Sequence, residues 1–330
     1  MVYVDDILAV GKLQKLKALP HRLGKYFKLT HTAMNEDVDF LGCQITLDSQ
    51  KFIYQLSQVF YLQKVLQSER VTMRSTPFPS NLNLTDMTKQ DLCETDYPFQ
   101  RILGRLGYLR YSRPDLLFAL HQFSKVAGSA VTVQMKNAMQ HCLGYLKKTS
   151  DYKLQFYPPT SDMSSSILLT FTDAAFASDA RTRKSSSGYF IYFQGNLVSA
   201  YSATQSRVAT SSAEAELTAI YSASKRVLTI RGLLGDIEEK IDQTVLLTDS
   251  SSCVQTLHNN VSTRYKFLAI YIEFVKEIMV YQELKVLHLN RRQNIADILT
   301  KQPIQAEFER LWRLCLPPLI WLHKQVESNP

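Results

Sequence analysis

The sequence predicts an α/β protein, α+β overall, whose second half is built on a mixed sheet with helices packed on its faces. Three observations carry that expectation. Short apolar and aromatic runs of strand type alternate with stretches of helical spacing along the 330 residues. The second half reads strand, strand, strand, helix, strand, helix, helix, strand, helix, an order that a mixed sheet accommodates. Between them, the window YPPTSDMSSS from Tyr157 to Ser166 holds two prolines and four serines and marks the best boundary in the chain.

The elements follow in order. In MVYVDDILAV two apolar runs flank Asp5 and Asp6, which predicts a β-hairpin with two acids at its tip. Leu16, Leu19, Leu23, Tyr26 and Phe27 recur at helical spacing, which predicts an amphipathic helix from Leu13 to Leu29. DVDFLGCQITLD and KFIYQLS read as two strands joined around Asp48-Ser49-Gln50, and QVFYLQKVLQSE as a short helix. Residues 76–97, rich in Ser, Thr, Asn, Pro and Asp without periodicity, read as an extended connection. Helices are expected over Phe99 to Tyr111, again after Arg113-Pro114, where proline suits a first turn, and over Val133 to Lys147.

Beyond the boundary, strands are expected over Ile167 to Thr172, Gly188 to Gln194 and Leu197 to Ala203. A long helix then opens with Ser211-x-x-Glu214, the spacing of a reciprocal capping box. TVLLTD has the continuous apolar character of a buried strand. A short helix over SSSCVQTLHN comes next, and then one striped by Phe267, Ile270, Tyr271, Phe274 and Ile278. LKVLHLN reads as a strand, and NIADILTK as the start of a last helix.

Composition narrows the class. Hydrophobic residues make up 45% and charged residues 21%, which is globular rather than disordered. The formal net charge of +8 suits polyanionic partners, nucleic acid above all, although a solvated basic surface explains it equally well. The five cysteines are scattered, with no C-x-x-C pair, which argues against a disulfide framework and a zinc site. No apolar run reaches the length of a membrane span, so a soluble intracellular protein without membrane partners is expected.

Four carboxylates stand where a sheet gathers side chains. Asp173 ends the first strand of the second half, in TFTDAAF, and Glu216 lies inside the capped helix. Asp249 follows the fourth strand, in LLTDSSS, and Asp297 falls in the first turn of the last helix, in NIADILT. Acids at strand ends and helix starts collect along one edge of an α/β sheet. Such a quartet can hold two Mg²⁺ ions about 3.5–4 Å apart, one activating a water for attack on a phosphodiester and the other stabilising the leaving oxygen. Mg²⁺ suits all-oxygen ligation, and a cation relieves the repulsion among the acids. Read singly, each acid is more simply a surface or capping residue; the four together, each in its setting, are far more specific.

FTDAAF, RTRKSSSGYFIYFQGNLVSAYSATQSRVATSSAEAELTAI, LLTDSSS and NIADILTK together resemble the ribonuclease H domain of copia-type LTR-retrotransposon Pol polyproteins. YVDD, DFLGCQI, YPFQRILGRLGYLRYSRPDLLFAL and CLGYLKKTSDYKLQFY resemble that family's reverse transcriptase, from its catalytic hairpin through its C-terminal helical region. The similarity runs over about residues 1–310, and LCLPPLIWLHKQVESNP is not part of it. The resemblance implies a partial reverse-transcriptase palm over residues 1–75, a linker over 76–97 and a helical thumb or connection region over 98–157. It then implies a linker over 158–166, a ribonuclease H-like domain over 167–303 and a tail over 304–330.

By the same resemblance, Asp173, Glu216, Asp249 and Asp297 are the metal-binding and catalytic acids of RNA cleavage in an RNA–DNA hybrid, with two Mg²⁺ ions, or Mn²⁺, as cofactors. Asp5 and Asp6 are a remnant of the polymerase motif. Their third acid and the nucleotide pocket lie upstream in the family, so polymerisation is not expected. Arg181, Arg183 and Lys184, between two strands, are either phosphate contacts or a solvated basic turn. The family usually has a Trp where this chain has Phe176, and His288, the histidine nearest the last acid, reads as structural. The expected function is therefore Mg²⁺-dependent hydrolysis of RNA in hybrids. The alternative is a catalytically silent remnant that binds nucleic acid through its basic charge. The family setting is intracellular, in cytoplasmic virus-like particles or the nucleus.

Overall fold

The structure, a computed structural model, describes residues 2–3, 6–9, 11, 13–30, 37–67, 69–86, 92–93, 96–159, 166–259 and 268–316. It is a mixed α/β protein. Strands β1 (Val2–Tyr3) and β2 (Asp6–Ile7) pair antiparallel with Tyr3 opposite Asp6; Asp6 thus stands in a strand rather than at a tip, and Val4 and Asp5 between the strands lie outside the described residues. Helix α1 (Leu13–Leu23) ends six residues before the expected Leu29. Pro20 removes one amide from the last turn, and Tyr26 and Phe27 beyond the helix are exposed, with no core contact to extend it.

DVDFLGCQITLD is two strands rather than one. β3 (Val38–Phe40) and β4 (Cys43–Asp48) flank Leu41 and Gly42, both at positive φ, the conformation of a tight hairpin turn that glycine makes accessible. β5 (Ile53–Ser57) pairs with β4 and leads into α2 (Val59–Leu66). The expected extended linker at 76–97 is instead partly core. Phe78 and Leu84 are buried, and the Phe78 ring stands edge-on to Phe118 at 5.6 Å. Polar, proline-rich composition concealed this, because two large apolar side chains are enough to draw a loop inward.

Helices α3 (Phe99–Tyr108), α4 (Leu117–Val126) and α5 (Val133–Lys148) follow, with Pro114 opening a single 3₁₀ turn before α4. The buried Arg113–Asp115 ion pair, 2.8 Å long, also takes the Tyr145 hydroxyl, so it fastens that turn to α5. β6 (Leu154–Phe156) then returns to β5 and completes an antiparallel sheet of order β3-β4-β5-β6.

The larger sheet comprises β7 (Ile167–Ala175), β8 (Ser186–Phe193), β9 (Asn196–Thr204), β10 (Gln243–Thr248) and β11 (Lys285–His288), in the order β11-β10-β7-β8-β9. β7, β8 and β9 are antiparallel, and β10 runs parallel to both β7 and β11. Side chains alternate across the sheet. Leu168, Ile191, Leu246 and Val286 face α6 (Ser212–Asp236), α7 (Ser251–His258) and α8 (Ala269–Val280). Ile167, Leu169, Phe171, Phe190, Tyr192, Val245 and Leu247 belong to the core shared with α9 (Asp297–Thr300), α10 (Gln305–Cys315) and α3, α4 and α5. Apolar packing therefore runs unbroken from residues before 158 to residues after 166.

Three expectations need correction here. In α8 the fully buried stripe is Ile272, Val275 and Ile278; of the expected stripe, Ile278 is in it, Tyr271 and Phe274 pack beside it half-buried, Ile270 is 81% exposed and Phe267 lies outside the described residues. The helix begun at NIADILTK is one turn long, and it is followed by α10, where a tail was expected from residue 304. Phe308 and Leu311 of α10 are buried, and the Cys315 carbonyl accepts the Tyr192 hydroxyl at 3.0 Å. No helix among the described residues is long and apolar enough to cross a membrane.

Candidate metal centre

The parallel pairing of β7 and β10 brings the C-terminal ends of two neighbouring strands to one edge of the sheet. Asp173 lies near the end of β7, opposite Gly188 of β8, and Asp249 follows β10 immediately. β7 is the middle strand of five and is buried along nearly its whole length, so the Asp173 side chain is almost fully buried. Asp297 arrives on α9. That helix lies so close to β8 that a Cβ at Gly188 would stand 2.6 Å from the Leu299 Cβ. One oxygen each from Asp173, Asp249 and Asp297 falls within 4.8 Å of the other two.

Glu216, on the second turn of α6, is not one of the three whose oxygens cluster, but it lies close enough for the charges of Asp173 and Asp249 to act on its carboxyl. The start of that helix is capped, but not by the expected reciprocal box. Ser211 Oγ accepts from the Glu214 amide at 3.2 Å, while the Glu214 carboxylate takes the Thr210 amide and hydroxyl. The buried amide of Gln205 donates to Ser187 Oγ and to the Ala215 carbonyl, both at 2.8 Å, and so ties the helix start to β8. Glu216 Oε2 is buried and has no hydrogen-bond partner among the described residues. Burial pushes the Glu216 carboxyl up to about 9, helped by the charges of Asp173 and Asp249. Burial, with Asp173, likewise pushes Asp297 up to about 6, against the opposing pull of Lys301.

Two residues outside the expected set organise the centre. Asn294 is fully buried, and its amide donates to the Thr172 carbonyl at 3.0 Å and approaches Asp249 Oδ1 at 3.5 Å. Its own oxygen accepts from the Ala296 amide at 3.2 Å, so one side chain touches all three segments that carry the clustered aspartates. Lys301 Nζ lies 2.9 Å from Asp297 Oδ1 and 3.2 Å from Asp173, whose other neighbour is the Thr300 hydroxyl. Both residues stand in NIADILTK. The i,i+4 spacing of Asp297 and Lys301 was readable in the sequence, whereas the reach of Asn294 to Thr172, 122 positions away, was not.

The remaining sequence candidates lie elsewhere. Asp5 is outside the described residues. Asp6 is exposed on β2. Arg181 is engaged with α4 through the Lys125 carbonyl and with Ser129 beyond it, and Arg183 is exposed at positive φ. Phe176 is 44% exposed next to the acid-bearing end of β7. His288 is exposed at the end of β11.

The donors in the cluster are carboxylate oxygens, and beside it the buried Glu216 Oε2 has no hydrogen-bond partner among the described residues. That combination fits a hard divalent cation, which takes oxygen ligands and neutralises like charges that cannot all ionise together.

No protein-family model matches the chain. The chain is similar to the Retrovirus-related Pol polyprotein from transposon TNT 1-94 of Nicotiana tabacum, with 30% identity over 94% of this chain and 24% of the relative. It is also similar to the Retrovirus-related Pol polyprotein from transposon RE2 of Arabidopsis thaliana, with 29% identity over 95% of this chain and 21% of the relative. It thus spans about a quarter of the length of the curated relatives it matches. Among solved structures, the N-terminal RNase H domain of rv2228c from Mycobacterium tuberculosis overlays 45% of this chain and 98% of its own, at 10% identity and a TM-score of 0.33.

Proposed function

The chain belongs to the family of copia-type retrotransposon Pol polyproteins, and from that premise we propose that its second half hydrolyses the RNA strand of RNA–DNA hybrids with Mg²⁺ as cofactor. The observation that carries this reading is the cluster of Asp173, Asp249 and Asp297 beside Glu216 and its partnerless oxygen. These four residues would hold the metal, as two Mg²⁺ ions, with Mn²⁺ as a substitute of like geometry. Bound there, the divalent cation would lower the barrier to phosphodiester hydrolysis by Lewis-acid catalysis.

The chain's own residues divide the remaining work. Asp173, buried and held by Thr300, is the closed floor of the centre. Asp249 and Asp297 are only half-buried, which leaves the centre open to a nucleic-acid backbone. Asn294 keeps Asp249 in line with the strand that carries Asp173. The net charge of +8 suits contact with phosphates and 2′-hydroxyls, which recognise a hybrid with little reading of base edges.

The test is cleavage of an end-labelled RNA–DNA hybrid in Mg²⁺ by the full chain and by Asp249→Asn. Metal-dependent cleavage that the substitution abolishes supports the reading. A folded wild type that binds hybrid in a salt-dependent way but never cleaves it would overturn the reading and leave a silent nucleic-acid binder.

A further inference from the structure

Three aspartates cluster in the centre and Glu216 lies near them, yet among the described residues Lys301 is the one cation paired with any of the four. Its Nζ sits between Asp297 Oδ1 at 2.9 Å and both oxygens of Asp173 at 3.2 Å. Other donors near these acids, among them the Thr300 hydroxyl, the Asn294 amide and the Ala174 backbone amide, bring hydrogen bonds but no net charge. The ammonium therefore occupies carboxylate oxygens that would also hold a divalent cation.

Its surroundings differ from those of a buried structural lysine. The side chain of Asp173 is 1% exposed, whereas that of Lys301 is 37% exposed at the mouth of the centre. The Lys301 backbone is anchored through its amide to the Asp297 carbonyl at 2.9 Å, just past the end of α9. The head group can thus leave for solvent while the backbone stays in place, on a stem with four rotatable bonds. A compact ammonium is also easier to exchange for a metal ion than a guanidinium, whose planar fork grips two carboxylate oxygens at once.

We propose that Lys301 is a tethered counter-ion of the acidic centre: its ammonium holds Asp173 and Asp297 together when no metal is bound and competes with the divalent cation for them, so it sets the metal concentration at which the centre fills. This rests on the metal-binding reading above. A lysine with a merely structural part in the site would have the opposite effect when removed, because a loosened site binds metal less well. Its removal is expected to tighten binding on the order of tenfold, the scale set by the repulsion between a unit and a double charge a few ångströms apart at a solvated surface.

Mg²⁺ and Mn²⁺ titrations of the full chain by calorimetry, together with melting temperatures with and without chelator, decide it. Lys301→Met is expected to melt below wild type in chelator, to gain more than wild type from added metal, and to bind the metal about tenfold more tightly. Lys301→Arg, which keeps the charge and grips harder, is expected to bind metal no better than wild type. Equal or weaker metal binding by a folded Lys301→Met overturns the proposal. So does a variant that folds neither with nor without metal, since Lys301 would then be a structural part. Failure of the underlying reading looks different: wild type, Lys301→Met and Asp249→Asn would all show no heat of binding and no thermal shift.

Discussion

At the scale of single residues, Glu216 is the most exposed to experiment. Its carboxyl titrates near 4.5 in an unfolded chain and is raised to about 9 in the fold by burial and by Asp173 and Asp249. A raised acid holds its proton longer when folded, so the contribution of Glu216 to stability is fully present below about pH 4.5 and is lost as pH climbs toward 9. Glu216→Gln in chelator is expected to flatten that slope and to melt higher at pH 8, by roughly 2–4 °C for each kcal/mol recovered. Added Mg²⁺ should reverse the ranking, since the wild-type carboxylate then has a partner. A melting series from pH 5 to 9, with and without metal, checks both halves. Asn294→Ala is expected to cost about 1–3 kcal/mol by leaving the Thr172 carbonyl and the turn before α9 without donor and acceptor, and to weaken metal binding as Asp249 loses its guide. Denaturant unfolding and calorimetry on the same variant read the two effects. The four acids were visible in the sequence because each sits beside a recognisable strand end or helix start. Asn294 was not, since an asparagine in NIAD looks like an ordinary turn residue until Thr172 and Asp249 are brought to it.

At the scale of elements, the centre depends on how close α9 lies to β8. Gly188 is opposite Asp173 in the register, and the absence of a side chain there admits Leu299 and Thr300. Gly188→Ala is expected to push α9 outward, to cost about 1–3 kcal/mol through overpacking, and to lower hybrid cleavage on the order of 100-fold by displacing Asp297. If cleavage and metal affinity are both unchanged while stability falls, the close packing serves the core alone. Element prediction from the sequence succeeded where one pattern acted over a long window, as in α6 and β7. It failed at FLGC, where two residues at positive φ cut one expected strand into a hairpin. It also failed at α10, an eleven-residue helix that carries both Phe308 and Leu311 into the core.

At the scale of the whole molecule, the sheet and the helices before it act as one packed body. His121 of α4 exemplifies the join: its ring nitrogens meet Thr204 at 2.8 Å and Ser202 at 3.1 Å on β9, and Ser202 in turn donates to the Leu299 carbonyl of α9 at 2.6 Å. Burial pushes this imidazole down to about 3, with Lys125 acting in the same direction and Asp179 opposing it. The folded chain therefore needs His121 neutral, and stability present above about pH 6.5 is lost as the pH falls toward 3. Between pH 6.5 and 5 the loss from this residue is at most about 2 kcal/mol. Urea unfolding at the two pH values should show it, and His121→Gln should remove most of the difference. A slope unchanged in the variant would assign the acid sensitivity to other groups.

The amino-acid sequence determined by itself the α/β class, the order of strands and helices from residue 167 through α9, and the positions of four candidate acids, because each of these is written in short-range periodicity and in residue type. Tertiary structure alone decided that a proline-rich connection would enter the core through Phe78, that residues 154–156 would pair with a strand about a hundred positions earlier, and that Asp173, Asp249 and Asp297 would meet beside Lys301. The physical reason is common to all three. Each is a contact between segments remote in sequence, selected by the apolar area two surfaces bury together and by the charges they must then accommodate, and no local window contains that information.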